Sequence, residues 1–327
     1  MHIHRQELPE SVTRNKTAVT VGSFDGLHLG HRQIVSKLLG VATAHGETPL
    51  AVTFDPHPRS LLLGDDKNIS MLYSFDERMD LLSRAGIENV FVIDFDESFR
   101  RLQPREYAEQ IIIGKWNAGH IIAGYNHSFG KDRAGDHESL ISLGRDLGFG
   151  VEIVPPVVIK DEVVSSTAIR RHIMEGDLPL ANAMLGRKFS LAGRVIRGFA
   201  RGRRMGCPTA NLGEIAQGKI VPRDGIYAAI AELNEYAYPA AVSIGFNPTF
   251  GGQRHSIEAH ILDFDLDIYD RTLTLRILKR LRGEIKFSGE EALSVQMKQD
   301  ISDIRSILVE EGYSLEPRRL LPEENVI

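Results

Sequence analysis

At 327 residues, 42% hydrophobic and 25% charged, the chain has an ordinary globular composition and length for about two domains. Its net charge of −5 argues against a nucleic-acid binder, which usually carries a basic excess, but leaves room for a small anionic substrate met by local positive charge. One cysteine, Cys207, excludes an intramolecular disulfide and fits a reducing compartment; the opening MHIHRQELPE is no signal peptide, and no stretch approaches the roughly 20 apolar residues that span a bilayer, so the cytoplasm is expected and no membrane partner.

Through the first half, apolar strand runs alternate with helical periods. Residues 18–21 read as a strand, and residues 30–44 as a helix with Ile34, Val35, Leu38, Val41 and Ala42 on one face. Strands follow at 50–54, 89–93, 120–124 and 151–154, and helices at 77–85, 104–116 and 137–147. This alternation predicts an α/β Rossmann-like parallel sheet with helices on both faces. Near residues 181–187 the pattern changes. Strands at 190–195, 227–233, 240–244, 256–262 and 272–281 run on without an intervening helix until about 289–311. Such a run predicts an antiparallel barrel closed by a terminal helix. The domains are therefore expected at 1–186 and 187–327.

The segment Val21-Gly22-Ser23-Phe24-Asp25-Gly26-Leu27-His28-Leu29-Gly30-His31 follows the first strand and opens the first helix. In an open parallel sheet ligands bind beyond the carboxyl ends of the strands, and a helix N-terminus there offers free amides and a positive dipole end to phosphate. Gly26 and Gly30 allow close backbone approach, and His28 and His31, three residues apart, share one side of the first turn. Two histidines beside a glycine turn are by themselves ordinary surface groups. In this strand-to-helix setting they are candidate donors to phosphate oxygens as charge builds on them. Further on, Ser165, Ser166 and Thr167 read as a helix cap with Arg170 one turn in, a second phosphate-binding pattern.

In the second half, Arg194, Arg197, Arg201, Arg203 and Arg204 crowd a stretch containing Gly198, Gly202 and Gly206, followed by Pro208-Thr209-Ala210-Asn211. Thr209 and Asn211 bring hard oxygens acceptable to Mg²⁺. On the strand over 256–262, alternation places Glu258 and His260 on one face and Ile257, Ala259 and Ile261 on the other. A carboxylate on such a face, beside a phosphate-binding loop, is a candidate general base.

The string GSFDGLHLGHR resembles the signature of the nucleotidylyltransferases. With Asp55-Pro56-His57-Pro58, Asn126 through Phe129 to Arg133, the SSTAIR run from Ser165 to Arg170, PTAN and Glu258, nearly the whole chain resembles the bacterial bifunctional riboflavin kinase/FAD synthetases. The resemblance implies ATP-dependent phosphorylation of riboflavin to FMN in the C-terminal half, and adenylylation of FMN to FAD with release of pyrophosphate in the N-terminal half. It implies Mg²⁺ as metal and riboflavin, FMN, FAD and ATP as partners, and leaves the oligomeric state open. It assigns catalysis to Glu258, His28 and His31, metal binding to Thr209 and Asn211, and flavin contact to Asp55, Pro56, His57, Pro58, Phe129 and Arg133. Nucleotide and phosphate contact falls to Gly22, Phe24, Asp25, Gly26, Gly30, Asn126, Ser165, Ser166, Thr167, Arg170, Gly198, Gly202 and Arg203. Three positions depart from the family pattern: Cys207 where an aromatic usually precedes PTAN, Ala200 at the middle glycine of the loop, and Asp270 for a glycine. Intact PTAN and Glu258 oppose an inert barrel, and His28, His31 and Glu258 together oppose a non-catalytic flavin carrier. The arginine cluster lacks the interleaved aromatics of a nucleic-acid site. Cys207 is expected to play no catalytic part.

Overall fold

The computed structural model describes residues 1–56, 70–131, 134–198, 202, 206–246 and 255–320. Backbone contacts divide the chain into two compact units, Met1–Ser166 and Thr167–Ile327.

The first unit holds a six-stranded sheet of β1 (His2–His4), β2 (Thr17–Val21), β3 (Thr48–Phe54), β4 (Asn89–Ile93), β5 (Ala118–Gly124) and β6 (Gly150–Val154), in the order β1-β4-β3-β2-β5-β6. Every pairing is parallel. The chain steps from β2 out through β3 to β4, then returns to the other flank of β2 for β5. The point where the order reverses, between β2 and β5, is where such sheets open a ligand crevice. β4 is buried along its whole length and β2 along all but its last residue, as expected for strands covered on both faces. The Leu29–His45 helix buries Val35, Leu38, Val41 and Ala42, the apolar face that its period predicts, and stops at Gly46, which takes the left-handed conformation that ends many helices.

One expected helix is wound differently. Residues 104–116 read as a single α-helix, but only Pro104–Glu106 is α-helical and Tyr107–Lys115 is a π-helix, whose Trp116 amide donates to the Ile111 carbonyl at 3.0 Å. The wider winding turns Tyr107, Ala108, Ile112 and Trp116 together into the core against Phe91 and Ile121. A short hairpin of β7 (Val158–Ile159) and β8 (Glu162–Val163) completes this unit and has too few residues for a period to show.

The second unit contains β9 (Phe189–Ile196), β10 (Ala210–Gly213), β11 (Gly225–Leu233), β12 (Tyr236–Gly245), β13 (Ser256–Ile261), β14 (Thr272–Arg282) and β15 (Arg318–Arg319). The order β11-β14-β9-β10-β13-β12, with β12 pairing back onto β11, closes six antiparallel strands into a barrel. β13 covers β12 over Ala240–Gly245, and β15 takes up the same strand at Tyr236 and Ala237. The Glu290–Glu310 helix packs Ile304, Ile307 and Leu308 onto Ala228, Ile230 and Leu278 of the barrel wall. Its buried Asp300 receives both Nε and Nη2 of Arg282, at 2.9 and 2.5 Å. The preceding Leu178–Leu185 helix is tied to the barrel by Asn182. Its buried amide donates to the Ile277 and Leu278 carbonyls at 3.0 and 3.3 Å and accepts from the Phe189 amide at 2.7 Å.

Candidate functional site

Two sites emerge, one in each unit. In the first, the turn joining β2 to the Leu29–His45 helix is conformationally unusual. Phe24, Gly26 and Leu27 all have positive φ, at 48°, 90° and 32°. Only Gly26 adopts such a value without a Cβ penalty, so the surroundings must hold the other two. Phe24 and Leu27 are accordingly buried, Gly22 donates to the Val52 carbonyl at 3.0 Å, and the Asp25 carboxylate accepts the amides of Leu72 and Tyr73, each at 3.1 Å. The outcome is a backbone loop delivered to the N-terminus of the long helix.

His28 is the N-cap of that helix, its Nδ1 accepting the His31 amide at 3.3 Å. The two imidazoles stack with centroids 3.7 Å apart, and Phe24 meets His31 edge-on at 5.5 Å. His28 is 6% exposed, so its orientation is set by packing. A Cβ on Gly30 would come within 3.3 Å of the His28 ring, and one on Gly22 within 3.4 Å of the Phe24 ring. Those glycines make room for the rings that define the turn.

Of the remaining predicted groups of this unit, those among the described residues follow the carboxyl ends of neighbouring strands. Asn126 is exposed just after β5. Phe129 is buried, stacks with His127 at 6.0 Å and leans on Tyr107 at 5.5 Å. Asp55 follows β3 and is paired with Arg5 at 2.8 Å, and Pro56 follows it through a cis bond. His57, Pro58 and Arg133 lie outside the described residues. The Ser166 hydroxyl donates to the Asp25 carbonyl at 2.7 Å, which brings Ser165 and Ser166 to the histidine turn. Thr167 and Arg170 continue the Ser166–Glu175 helix, in the part of the chain counted with the second unit.

In the second unit Thr209 and Glu258 come together as their spacing on separate motifs could not reveal. The Thr209 hydroxyl donates to Glu258 Oε2 at 2.9 Å, and the Ser256 hydroxyl to Oε1 at 3.3 Å. Asn211 sits on β10 directly opposite Glu258 on β13. Burial along β13 alternates as its sequence predicts, with Ile257, Ala259 and Ile261 inside and Ser256, Glu258 and His260 half-buried on the other face. His260 Nδ1 bonds the Pro208 carbonyl at 2.8 Å and so ties the turn before Thr209 to the same strand. Gly198 stands against the Asn211 amide, where a Cβ would collide with it, and the Gly202 carbonyl accepts the Cys207 amide at 2.9 Å. Arg203 lies outside the described residues. Burial pushes the Cys207 thiol above its usual pKa, opposed by the charge of Lys298. Beside Thr209 a cavity of about 180 Å³ opens, walled by Pro208 and Ala210 on one side and Phe264, Leu266 and Tyr269 on the other.

Among the described residues no cluster of three His, Cys, Asp or Glu side chains forms a metal centre. The oxygens of Thr209, Asn211 and Glu258 instead make a sparse, hard donor set, suited to an ion such as Mg²⁺ that keeps waters and substrate phosphates as its other ligands. Three neighbours of these sites had no local signature: Arg78, whose Nη1 donates to the Ser23 carbonyl at 2.7 Å, Ser256, and the Phe264–Tyr269 wall are placed by tertiary contacts. The one local hint was that Ser256 shares the β13 face with Glu258.

A phosphate-ready turn at the switch point of a parallel sheet, and a carboxylate beside hydroxyl and amide oxygens in a barrel wall, define a two-site transferase of phosphate-bearing substrates. Family models agree: one described as FAD synthetase matches residues 10–168, and one described as riboflavin kinase matches residues 185–308. The bifunctional riboflavin kinase/FMN adenylyltransferase of Bacillus subtilis (strain 168) is 34% identical over 288 residues, covering 87% of this chain and 90% of that protein. The protein of the same description from Listeria monocytogenes is 32% identical, covering 94% of this chain and 97% of its own. A crystal structure of a macrolide-efflux protein from Streptococcus pneumoniae, 31% identical, superposes with a TM-score of 0.82 over 93% of this chain and 99% of that one. Among the described residues no helix is long and apolar enough to cross a membrane. The chain belongs to the bifunctional riboflavin kinase/FMN adenylyltransferase family. Its two activities are phosphorylation of riboflavin to FMN and adenylylation of FMN to FAD.

Proposed function

We propose that the two activities sit on separable modules, with adenylylation built on the histidine turn and phosphorylation built around Glu258. In the barrel, Glu258 takes the proton from the 5′-hydroxyl of riboflavin as that oxygen bonds to the γ-phosphorus of ATP and the bond to ADP breaks. Thr209 and Ser256 hold the two carboxylate oxygens, so the base is aimed before substrate arrives. Thr209 and Asn211 would hold Mg²⁺, which supplies charge neutralisation to the triphosphate. The glycine-arginine stretch through Gly198, Gly202 and Arg203 meets the nucleotide phosphates, and the cavity beside Thr209 receives a substrate ring.

In the first module an FMN phosphate oxygen attacks the α-phosphorus of ATP in line, and pyrophosphate leaves without a covalent enzyme intermediate. His28 and His31 donate to the α- and β-phosphates as the leaving group takes up charge. The turn Gly22, Phe24, Asp25, Gly26 and Gly30 receives phosphate on its backbone, Asn126, Ser165, Ser166, Thr167 and Arg170 complete the nucleotide site, and Asp55, Pro56, His57, Pro58, Phe129 and Arg133 contact the flavin. The cytoplasm is the proposed location, supported by a sole cysteine that is a buried free thiol.

The observation that carries this reading furthest is the 2.9 Å bond between Thr209 and Glu258, which unites two separate motifs at one point. Pure protein incubated with riboflavin, ATP and Mg²⁺ is expected to accumulate FMN and then FAD on chromatography, and EDTA is expected to abolish both steps. Full turnover of either step in metal-free buffer overturns the metal assignment, and FMN with no FAD overturns the assignment of the first module.

A further inference from the structure

The turn that carries His28 and His31 holds two non-glycine residues at positive φ, and such a backbone persists only where its surroundings over-determine it. Beside the bonds from Gly22 to Val52 and from Ser166 to the Asp25 carbonyl, one segment, residues 72–78, grips the turn at both ends. From one end, the amides of Leu72 and Tyr73 grip the Asp25 carboxylate. From the other, Arg78 Nη1 donates to the Ser23 carbonyl at 2.7 Å and to Thr53 Oγ1 at 3.2 Å. A capping box between Ser74 and Glu77 fixes the start of the Phe75–Arg84 helix that carries the arginine.

Arg78 is 3% exposed, and burial lowers its pKa against the opposing pull of the Asp25 and Asp55 charges. Its Nε is buried and makes no hydrogen bond among the described residues. A basic side chain taken this far from water is costly unless its hydrogen bonds accomplish something. Here a single guanidinium nitrogen, Nη1, reaches one oxygen just after β2 and another within β3 at once. It thereby fixes the separation of the carboxyl ends of β2 and β3, on the β3 side of the strand that borders the crevice. A lysine ammonium has hydrogens enough for both acceptors but ends one bond short of where Nη1 lies.

We propose that Arg78 is a positioning residue for adenylyl transfer: it clamps Ser23 and Thr53 so that the strained turn presents His28, His31 and its amides in reacting geometry. The inference rests on the assignment of adenylylation to this turn. Three full-length variants test it with Mg-ATP and supplied FMN. Arg78→Met, which keeps the apolar stem and removes the donors, is expected to lower kcat for FAD formation about 30- to 100-fold and to move KM for ATP and FMN less than about threefold. Arg78→Lys, which keeps a charged donor but places it one bond short of Nη1, is expected to fall about tenfold, between parent and Met. Riboflavin phosphorylation by the same preparations is expected to remain at the parental rate, a readout that global unfolding would move. The third variant, His28→Ala/His31→Ala, is the reference. If it loses FAD formation while Arg78→Met keeps kcat within about threefold, the clamp is wrong and the site assignment stands. If it too makes FAD normally, the site assignment itself fails. A raised KM with unchanged kcat in Arg78→Met overturns positioning, since the arginine would then be a ground-state ligand. Should the Met variant not fold, Lys decides alone, and a kcat within about threefold of parent overturns the proposal.

Discussion

The two sites are made by opposite means. The proposed adenylylation site gathers its core from one continuous stretch, Gly22 to His31, shaped by backbone conformation and read at a helix N-terminus. The proposed kinase site gathers Thr209, just before β10, Asn211 on β10 and Glu258 on β13, and the β10–β13 register brings them together. A contiguous site can be recognised from a string but needs outside help to hold strained angles. A cross-strand site leaves less trace in any one string, yet inherits its precision from a closed barrel.

Changing Glu258, the proposed base, should break that comparison most sharply. Glu258→Gln keeps the shape and the bond from Thr209 but cannot accept the proton. Riboflavin phosphorylation is expected to fall on the order of a thousandfold, while supplied FMN is still converted to FAD at the parental rate. Normal FMN production would remove Glu258 as the base. The mirror experiment, His28→Ala/His31→Ala, is expected to cost FAD formation about a hundredfold or more and to spare FMN formation, as measured by chromatography of both products.

A smaller effect separates the modules as folding units. Asn182→Ala would strand the Phe189 amide and two carbonyls in a buried place, and is expected to destabilise the barrel by about 2 kcal/mol in denaturant titration without touching the histidine turn. By the same argument a fragment beginning at Thr167, which retains the Asn182 tie, is expected to be more stable than one beginning at Arg187, and both are expected to phosphorylate riboflavin without making FAD. An isolated barrel that folds but is inactive would mean the kinase site borrows residues from the first module. The smallest expected effect is at Cys207. With its thiol held protonated by burial, Cys207→Ser is expected to leave both rates within about twofold, and a large kinase loss in a folded variant would contradict a non-catalytic thiol.

Much of this architecture was legible because it is periodic. The helix predicted over 30–44 is Leu29–His45, the strand predicted over 89–93 is Asn89–Ile93, and the faces of β13 alternate as its residues do. What was not legible had no period to show. β10 is four residues long and reads as a turn, although it is what carries Asn211 opposite Glu258. The π-helical winding of Tyr107–Lys115 is chosen by the core it fills, and nothing local distinguishes it from an α-helix. Arg78 reads as an ordinary basic residue of an amphipathic helix. Its importance comes from the strand ends that it reaches, which no spacing within its own helix encodes.

The short β15 has a consequence for the behaviour of the chain at high concentration. A strand edge with unpaired amides and carbonyls is a template onto which another chain can add. β13 ends its cover of β12 at Ala240, and Tyr236 and Ala237 beyond it would offer such a template, next to an exposed tyrosine ring. Arg318 and Arg319 occupy that edge, with Arg319 paired to Glu235 at 2.6 Å, so the place where the barrel wall would be open to self-association is both covered and charged. At one of its two edges the parallel sheet meets the same problem by brevity, since β1 presents only three residues.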